Sequence, residues 1–147
     1  MKAADELFFH VGRAYFHYRL LLERTLRDLR LDRHVSPGMG HLLFPLFEED
    51  GCRVGDLVEK SRLSFPTVTA MLGKMERAGL VARRRDPDDA RAVRIRLTRR
   101  GRSIESRCRR AAARIHAVVE RGLGGRAVGV AKRALARMVE NMRRAVP

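Results

Sequence analysis

Cysteine is nearly absent. Cys52 and Cys108 are the only two among 147 residues, too few for a disulfide scaffold and without a CxxC partner. A disulfide-stapled secreted fold and a structural zinc site of the usual kind are both excluded. Long apolar runs are missing too: no stretch of 18 uncharged apolar residues exists to span a bilayer, and no membrane partner is expected. The first residues carry Asp5 and Glu6 rather than the basic start, apolar stretch and small-residue cleavage site of a secretory signal, which points to the cytoplasm. There is no Ser/His/Asp group, phosphate loop or pair of carboxylates on a common face, so an enzyme is not expected. His10 and His17 lie seven residues apart on one helical face, but two ligands do not make a metal site, and no metal or other cofactor is expected.

Acidic residues are also scarce, 17 against 32 Lys and Arg, for a formal net charge of +15. Residues 1–50 hold 7 basic and 8 acidic side chains, residues 51–100 hold 13 and 6, and residues 101–147 hold 12 and 3. The local nets are therefore −1, +7 and +9, and the positive field begins abruptly near Arg53. Such a field attracts polyanions, nucleic acid first and an anionic membrane surface second. Of the cations 28 are Arg, whose planar fork bonds phosphates and base edges bidentately, although a GC-rich genome would produce the same skew. At 16.8 kDa, with 45% apolar and 33% charged residues, the chain is expected to bury one continuous core as a single domain.

The apolar pattern gives the order of elements. From Asp5 to Arg30 the residues Leu7, Val11, Ala14, Tyr18, Leu22, Leu26 and Leu29 recur at steps of three and four, and Phe8, Phe16 and Leu20 widen the stripe. So long and broad an apolar face asks for a partner chain. Ser36-Pro37 reads as N-cap and first-turn proline of a second helix through Leu42, Leu43, Leu46 and Phe47, ended by Asp50-Gly51, with Pro45 expected to bend or shorten it. A helix around residues 56–61, a tight turn at Arg62-Leu63 and a helix capped by Ser64 and closed by Gly79 form a helix-turn-helix pattern. In the last of these Val68, Met71, Leu72 and Met75 make the buried stripe; Pro66, Ala70, Gly73, Lys74 and Arg77 face outward, with Thr67 and Thr69 on the flanks. That outer face is unusually low for a surface helix and suits close approach to a partner. Val93, Ile95 and Leu97 then alternate with Arg94 and Arg96, a half-buried strand whose partner is residues 81–85 across the turn formers of residues 86–91, giving a β-hairpin with a basic outer edge. Thr98 caps a long Arg-rich helix to about Arg121, and after a glycine break a last helix runs from about Arg126 to Arg144.

A helix-turn-helix followed at once by a hairpin is a winged helix, here between long helices. The stretch from Ser64 to Gly101, SFPTVTAMLGKMERAGLVARRRDPDDARAVRIRLTRRG, carries four marks together: a capped recognition helix, the Glu76-x-x-Gly79-Leu80-Val81 exit, the Asp89-x-Arg91 tip, and Leu97-Thr98-x-x-Gly101. On these the sequence resembles the MarR (multiple antibiotic resistance regulator) family of bacterial transcription factors over nearly its whole length. The resemblance implies a mainly α fold with a small β-hairpin wing. Residues 5–34 and 98–147 would supply dimerisation helices and residues 36–97 the winged helix-turn-helix. It implies a homodimer that places two winged helices on successive major grooves of a pseudo-palindromic operator in double-stranded DNA, probing sequence with one helix per half-site.

Physical reading of the same residues agrees. The recognition helix enters N-terminus first, so the N–H groups behind Ser64, Phe65 and Pro66, with Thr67 and Thr69, meet phosphate or a base edge. Relatives often carry an arginine where Ala70 stands, so a direct guanine contact is not expected there. Lys74 and Arg77 hold phosphates, Arg84 shares with Arg83, Arg85, Arg94 and Arg96 a phosphate-facing surface, and Arg91 enters the minor groove with Asp89 orienting its guanidinium. The resemblance also implies a crevice for a small aromatic or anionic effector, and the candidates to line it are Arg13, His17, Tyr18, His41 and Phe44, which combine a cation, hydrogen-bonding rings and an apolar wall. Zinc-sensing relatives place metal near Glu23, His41 and Cys108, but Ala112 stands where a further histidine is needed, and the reactive cysteine that peroxide-sensing relatives carry in the first helix is missing. The competing reading is a non-specific nucleic-acid packaging or RNA-binding protein, which would coat any duplex rather than protect one palindrome.

Overall fold

The structure, a computed structural model, describes residues 6–146. They form α1 (Leu7–Asp28), α2 (Gly40–Glu48), β1 (Cys52–Arg53), α3 (Val54–Ser61), α4 (Phe65–Arg77), β2 (Val81–Arg85), β3 (Val93–Leu97), α5 (Arg99–Ser103), α6 (Glu105–Val119) and α7 (Gly125–Ala145). The chain divides into two compact units, Met1–Ala113 and Arg114–Pro147, the division falling within α6. Residue 5, the expected start of the first helix, and residue 147 lie outside the described residues. No helix among the described residues is long and apolar enough to cross a membrane.

In the first unit the core gathers where α1 ends and the winged helix begins. Leu31, Leu42, Leu46, Leu57, Leu72, Leu80 and Ile95 have no exposed surface. Each such side chain contributes roughly 1.5–3 kcal/mol relative to exposure, so this cluster fixes how α2, α3 and α4 pack on the sheet. α1 stops at Asp28 because Arg30 takes a left-handed φ of +53° and Leu31 N–H turns back to Leu26 O at 2.8 Å. Arg107 Nη1 donates to Arg30 O at 3.2 Å, satisfying a carbonyl at that end. Only Thr25 and Leu26 of α1 are buried, and Phe8, Phe16 and Leu20 are exposed in the single chain.

Three expectations need correction. The Ser36-Pro37 cap signal does not start α2, because Gly38 adopts φ +94° and the helix begins only at Gly40, four residues after Ser36. The sheet has three strands in the order β1-β3-β2, with Cys52 opposite Ile95 and Val81 opposite Leu97. A two-residue strand such as β1 has no period to read, so the hairpin alone is visible in the sequence. The long helix after Thr98 is broken at Ile104, whose N–H turns to Arg102 O and whose side chain is 1% exposed in the core, giving α5 and α6.

In the second unit α7 has no buried residue, and Val130, Leu135, Val139 and Met142 stand exposed. Glu140 is held down to a pKa of about 2 by bonds from Arg143 and Arg144.

Candidate nucleic-acid interface

α3, a short turn and α4 form the helix-turn-helix. The turn is possible because Arg62 takes φ +56° and its N–H closes on Val58 O at 3.0 Å. Ser64 then starts α4: its Oγ accepts from Thr67 N–H at 3.3 Å, with Pro66 in the first turn. Val68, Leu72 and Met75 are fully buried and Met71 half-buried, so the opposite face of α4 is fixed outward. That face exposes Phe65, Pro66, Thr67, Thr69, Ala70, Lys74 and Arg77. Beside it, a cleft of about 380 Å³ opens between α4 and the Ser36-Pro37 turn.

β2 and β3 pair from Val81–Leu97 to Arg85–Val93, and the loop between them is closed by Asp86 N–H to Ala92 O at 3.0 Å. The base of this wing is organised by Asp86, whose side chain is wholly buried. Its Oδ1 accepts from Asp88 N–H at 3.0 Å, and its Oδ2 lies 2.8 Å from Arg53 Nη2 and 3.0 Å from Arg94 Nε. Arg94 Nη1 also donates to Gly51 O at 3.1 Å. The Asp88 N–H is the strongest influence on this carboxyl; with the two guanidiniums it outweighs burial and holds the pKa at about 2. One carboxylate therefore ties the hairpin to the residue just before α3. Sequence alone does not single out Asp86 and Arg53, since 33 residues separate them and only the Asp-Pro turn signal marks the place.

A group with a depressed folded pKa stabilises the fold above its unfolded value and loses that contribution as pH falls through the folded one. For Asp86 the window runs from the ordinary 3.8 down to about 2. The acid-side loss of stability is expected to be smaller in Asp86→Asn than in the wild type. Urea unfolding midpoints between about pH 5 and 2 test this, and parallel curves would show that Asp86 has no part in it.

The cations on α4, on the wing and at the start of α5 include two sets. Arg83 donates Nε to both Glu76 oxygens at 3.1 Å, Arg94 is taken by Asp86, and Arg96 and Arg102 face Asp50, which itself accepts from Leu97 N–H at 2.7 Å. Lys74, Arg77, Arg84, Arg85 and Arg91, by contrast, make no ion pair among the described residues. One detail of the tip is corrected: Asp89 Oδ1 accepts the backbone N–H of Arg91 at 3.0 Å and does not bond its guanidinium. Two residues apart, an aspartate closes more readily on the backbone of the turn than on a side chain.

Of the candidate effector residues, Arg13, His17, Tyr18 and His41 are exposed and Phe44 is half-buried, edge-on to Phe47 at 5.9 Å. Arg13 Nη2 lies 3.4 Å from His10 Nδ1, and His17 meets Phe16 edge-on at 5.5 Å. No hydrogen bond or ring contact among the described residues joins His17 or Tyr18 to His41 or Phe44. Glu23 is engaged by Arg19 at 3.0 Å. Both cysteines are buried: burial raises the Cys52 thiol, which donates to Glu49 O at 3.0 Å, and pushes Cys108 up to about 11. Neither is poised as a thiolate.

The model of the MarR family matches residues 35–93, from before α2 to the start of β3. That match spans less than half of the chain and shows its helix-turn-helix and wing to be similar to those of the MarR family. The chain is 38% identical over 73 residues to the uncharacterized HTH-type transcriptional regulator YdgJ of Bacillus subtilis, a match covering 49% of this chain and 44% of that protein. It thus spans about half the length of the curated relatives it matches. Among solved structures it shares its winged-helix fold with BpsR of Bordetella bronchiseptica, whose DNA binding is regulated by 6-hydroxynicotinic acid, at a TM-score of 0.78 with 21% identity over 95% of this chain and 96% of that one. FabT of Streptococcus pneumoniae, solved in complex with DNA, gives 0.70 with 19% identity over the same shares, 95% and 96%.

Proposed function

We propose that this protein is a sequence-specific regulator of transcription that binds double-stranded DNA as a homodimer, with α4 in the major groove and the β2–β3 wing at the minor groove. The observation that carries the reading is the outward face of α4: no long charged side chain at its entry, cations at its exit, and next to it a wing whose Arg84, Arg85 and Arg91 have no ion-pair partner among the described residues. A helix meant for solvent needs no such low profile, and cations already neutralised by carboxylates would add little to a polyanion's binding. The dimer follows from the apolar residues that α1 and α7 each leave exposed. Phosphate contacts by Lys74 and Arg77 position α4, and Arg91 senses the narrow groove of A·T-rich flanks.

Arg91→Ala is expected to weaken binding by on the order of 1–3 kcal/mol per half-site, most on A·T-rich flanks, whereas Lys74→Ala weakens all sequences alike. Footprinting on duplexes recovered by the protein from its own genomic DNA measures both. Protection of every duplex equally would favour a packaging protein, and wild-type affinity in Arg91→Ala would remove the wing from the interface.

The regulator acts as a repressor released by a small aromatic acid, for which Arg13 supplies the cation and His17, Tyr18, His41 and Phe44 the remaining walls. BpsR, with the same fold, is regulated by such a compound. A ligand shifts DNA binding only by its preference for one state, so it must bind less tightly when operator is present. Arg13→Ala should abolish release and leave DNA affinity within about tenfold, or ~1.4 kcal/mol. Calorimetric titration of 6-hydroxynicotinic acid and related acids, with and without operator, checks both; full response in Arg13→Ala moves the site elsewhere.

A further inference from the structure

Selective reading of a base pair in the major groove by hydrogen bonds uses particular side chains: Arg or Lys for guanine, Asn or Gln for adenine, Asp or Glu for cytosine, with Ser and Thr bonding bases less selectively. None of the selective side chains stands in the first two turns of α4, where the exposed residues are Phe65, Pro66, Thr67, Thr69 and Ala70. The hydroxyls there are partly spent, since Ser64 Oγ and Thr67 Oγ1 bond one another at 2.7 Å while Ser64 also caps the helix. The whole chain has no Gln, and its single Asn is Asn141, in α7. The bidentate reading of adenine is therefore closed to this helix.

What the entry of α4 offers instead is shape. The cleft beside it is lined by Pro66, Thr67, Ala70, Met71 and Lys74 of α4 and, opposite, by Ser36 and Pro37. A mainly apolar recess with one cation in its lining matches one feature of duplex DNA: the 5-methyl group of thymine, which projects into the major groove beside the phosphate backbone. Met71 is half-buried, and its unbranched thioether can close on a methyl without rearranging the helix.

We propose that this cleft receives a thymine methyl in each half-site, making Pro66, Ala70 and Met71 the specificity-determining residues of α4. The inference rests on the DNA-binding reading above. A·T pairs under α4 are then recognised through the thymine strand, by van der Waals contact and loss of water rather than by hydrogen bonds.

The test uses the full chain and an operator selected from random duplexes, in which each thymine is replaced singly by deoxyuridine. Deleting one methyl at the contacted position is expected to weaken binding about fourfold, the usual worth of burying one such group, and about fifteenfold when both half-sites are changed. In Ala70→Gly, which widens the cleft, that discrimination should shrink, while Arg91→Ala should keep it. If no sequence is enriched at all, the DNA-binding reading fails and takes the proposal with it. If an operator is bound selectively yet every deoxyuridine substitution leaves affinity within about 1.5-fold, only the proposal fails. Thymine discrimination that Ala70→Gly leaves untouched would also overturn it, as would an altered release by aromatic acids with unchanged thymine preference, which would give the cleft to a small ligand.

Discussion

Affinity for operator DNA is expected to fall by roughly three to five decades between ~50 and ~200 mM salt, the consequence of a dimer that displaces counterions from ~6–10 phosphates. Formal charge overstates the number of contacts, and the structure shows which cations to set aside. Arg83 is spent on Glu76, Arg94 on Asp86, and Arg102 on Asp50, so they arrive already paired. On α4 and the wing Lys74, Arg77, Arg84, Arg85 and Arg91 remain on each protomer, about ten in a dimer, enough for that phosphate count. A log–log slope between about −5 and −9 follows. Fluorescence anisotropy of a labelled operator across a salt series measures it. A slope shallower than about −2 would mean that these side chains do not meet phosphates. Charge-reversing Glu76→Lys tests the sorting itself: it frees Arg83, adds a cation, and should steepen the slope.

The parts of this fold that can be read from sequence are those whose signal is local. α4 carries its own start in Ser64 and Pro66, its stripe in Val68, Leu72 and Met75, and its stop before Gly79, so its outward face follows without tertiary information. The hairpin is equally plain, because the period-two run of β3 behind an Asp-Pro turn asks for a paired strand just before that turn. Features that depend on distant partners are not legible. Asp86 looks like one more turn aspartate until Arg53 and Arg94 close on it, and the side-chain role expected of Asp89 goes to its bond with the backbone. Ser36-Pro37 misleads for the opposite reason: the cap signal is strong, but Gly38 diverts the chain before a helix can form. The effector residues share the difficulty of distant partners. Arg13, His17 and Tyr18 lie on α1 and His41 and Phe44 on α2, and no periodicity says whether two helices turn those faces toward one ligand.

Gly101→Ala is expected to destabilise the winged unit by about 3 kcal/mol or more, among the largest effects of any single methyl added to this chain. The reason is proximity rather than backbone freedom, since Gly101 lies within the helical α5. A Cβ there would stand 2.1 Å from Leu80 O and 3.1 Å from Leu80 C, both backbone, and 3.2 Å from Leu97 Cδ2. Leu80 cannot yield, because its side chain is fully buried and its carbonyl accepts Thr98 N–H at 3.0 Å. Thr98 is pinned in turn, donating Oγ1 to Gly79 O at 2.6 Å and accepting from Gly101 N–H at 3.0 Å. The added methyl must therefore push α5 off the end of α4 and the start of β2, breaking the N-cap and disturbing the sheet that carries the wing. Gly55→Ala in α3 is the control: nothing lies within 4 Å of its Cβ, and the helix should gain roughly 0.5–1 kcal/mol. Urea unfolding of the two variants should move in opposite directions from the wild type. A Gly101→Ala midpoint at or above the wild-type value would mean that α5 does not pack on Leu80 as described.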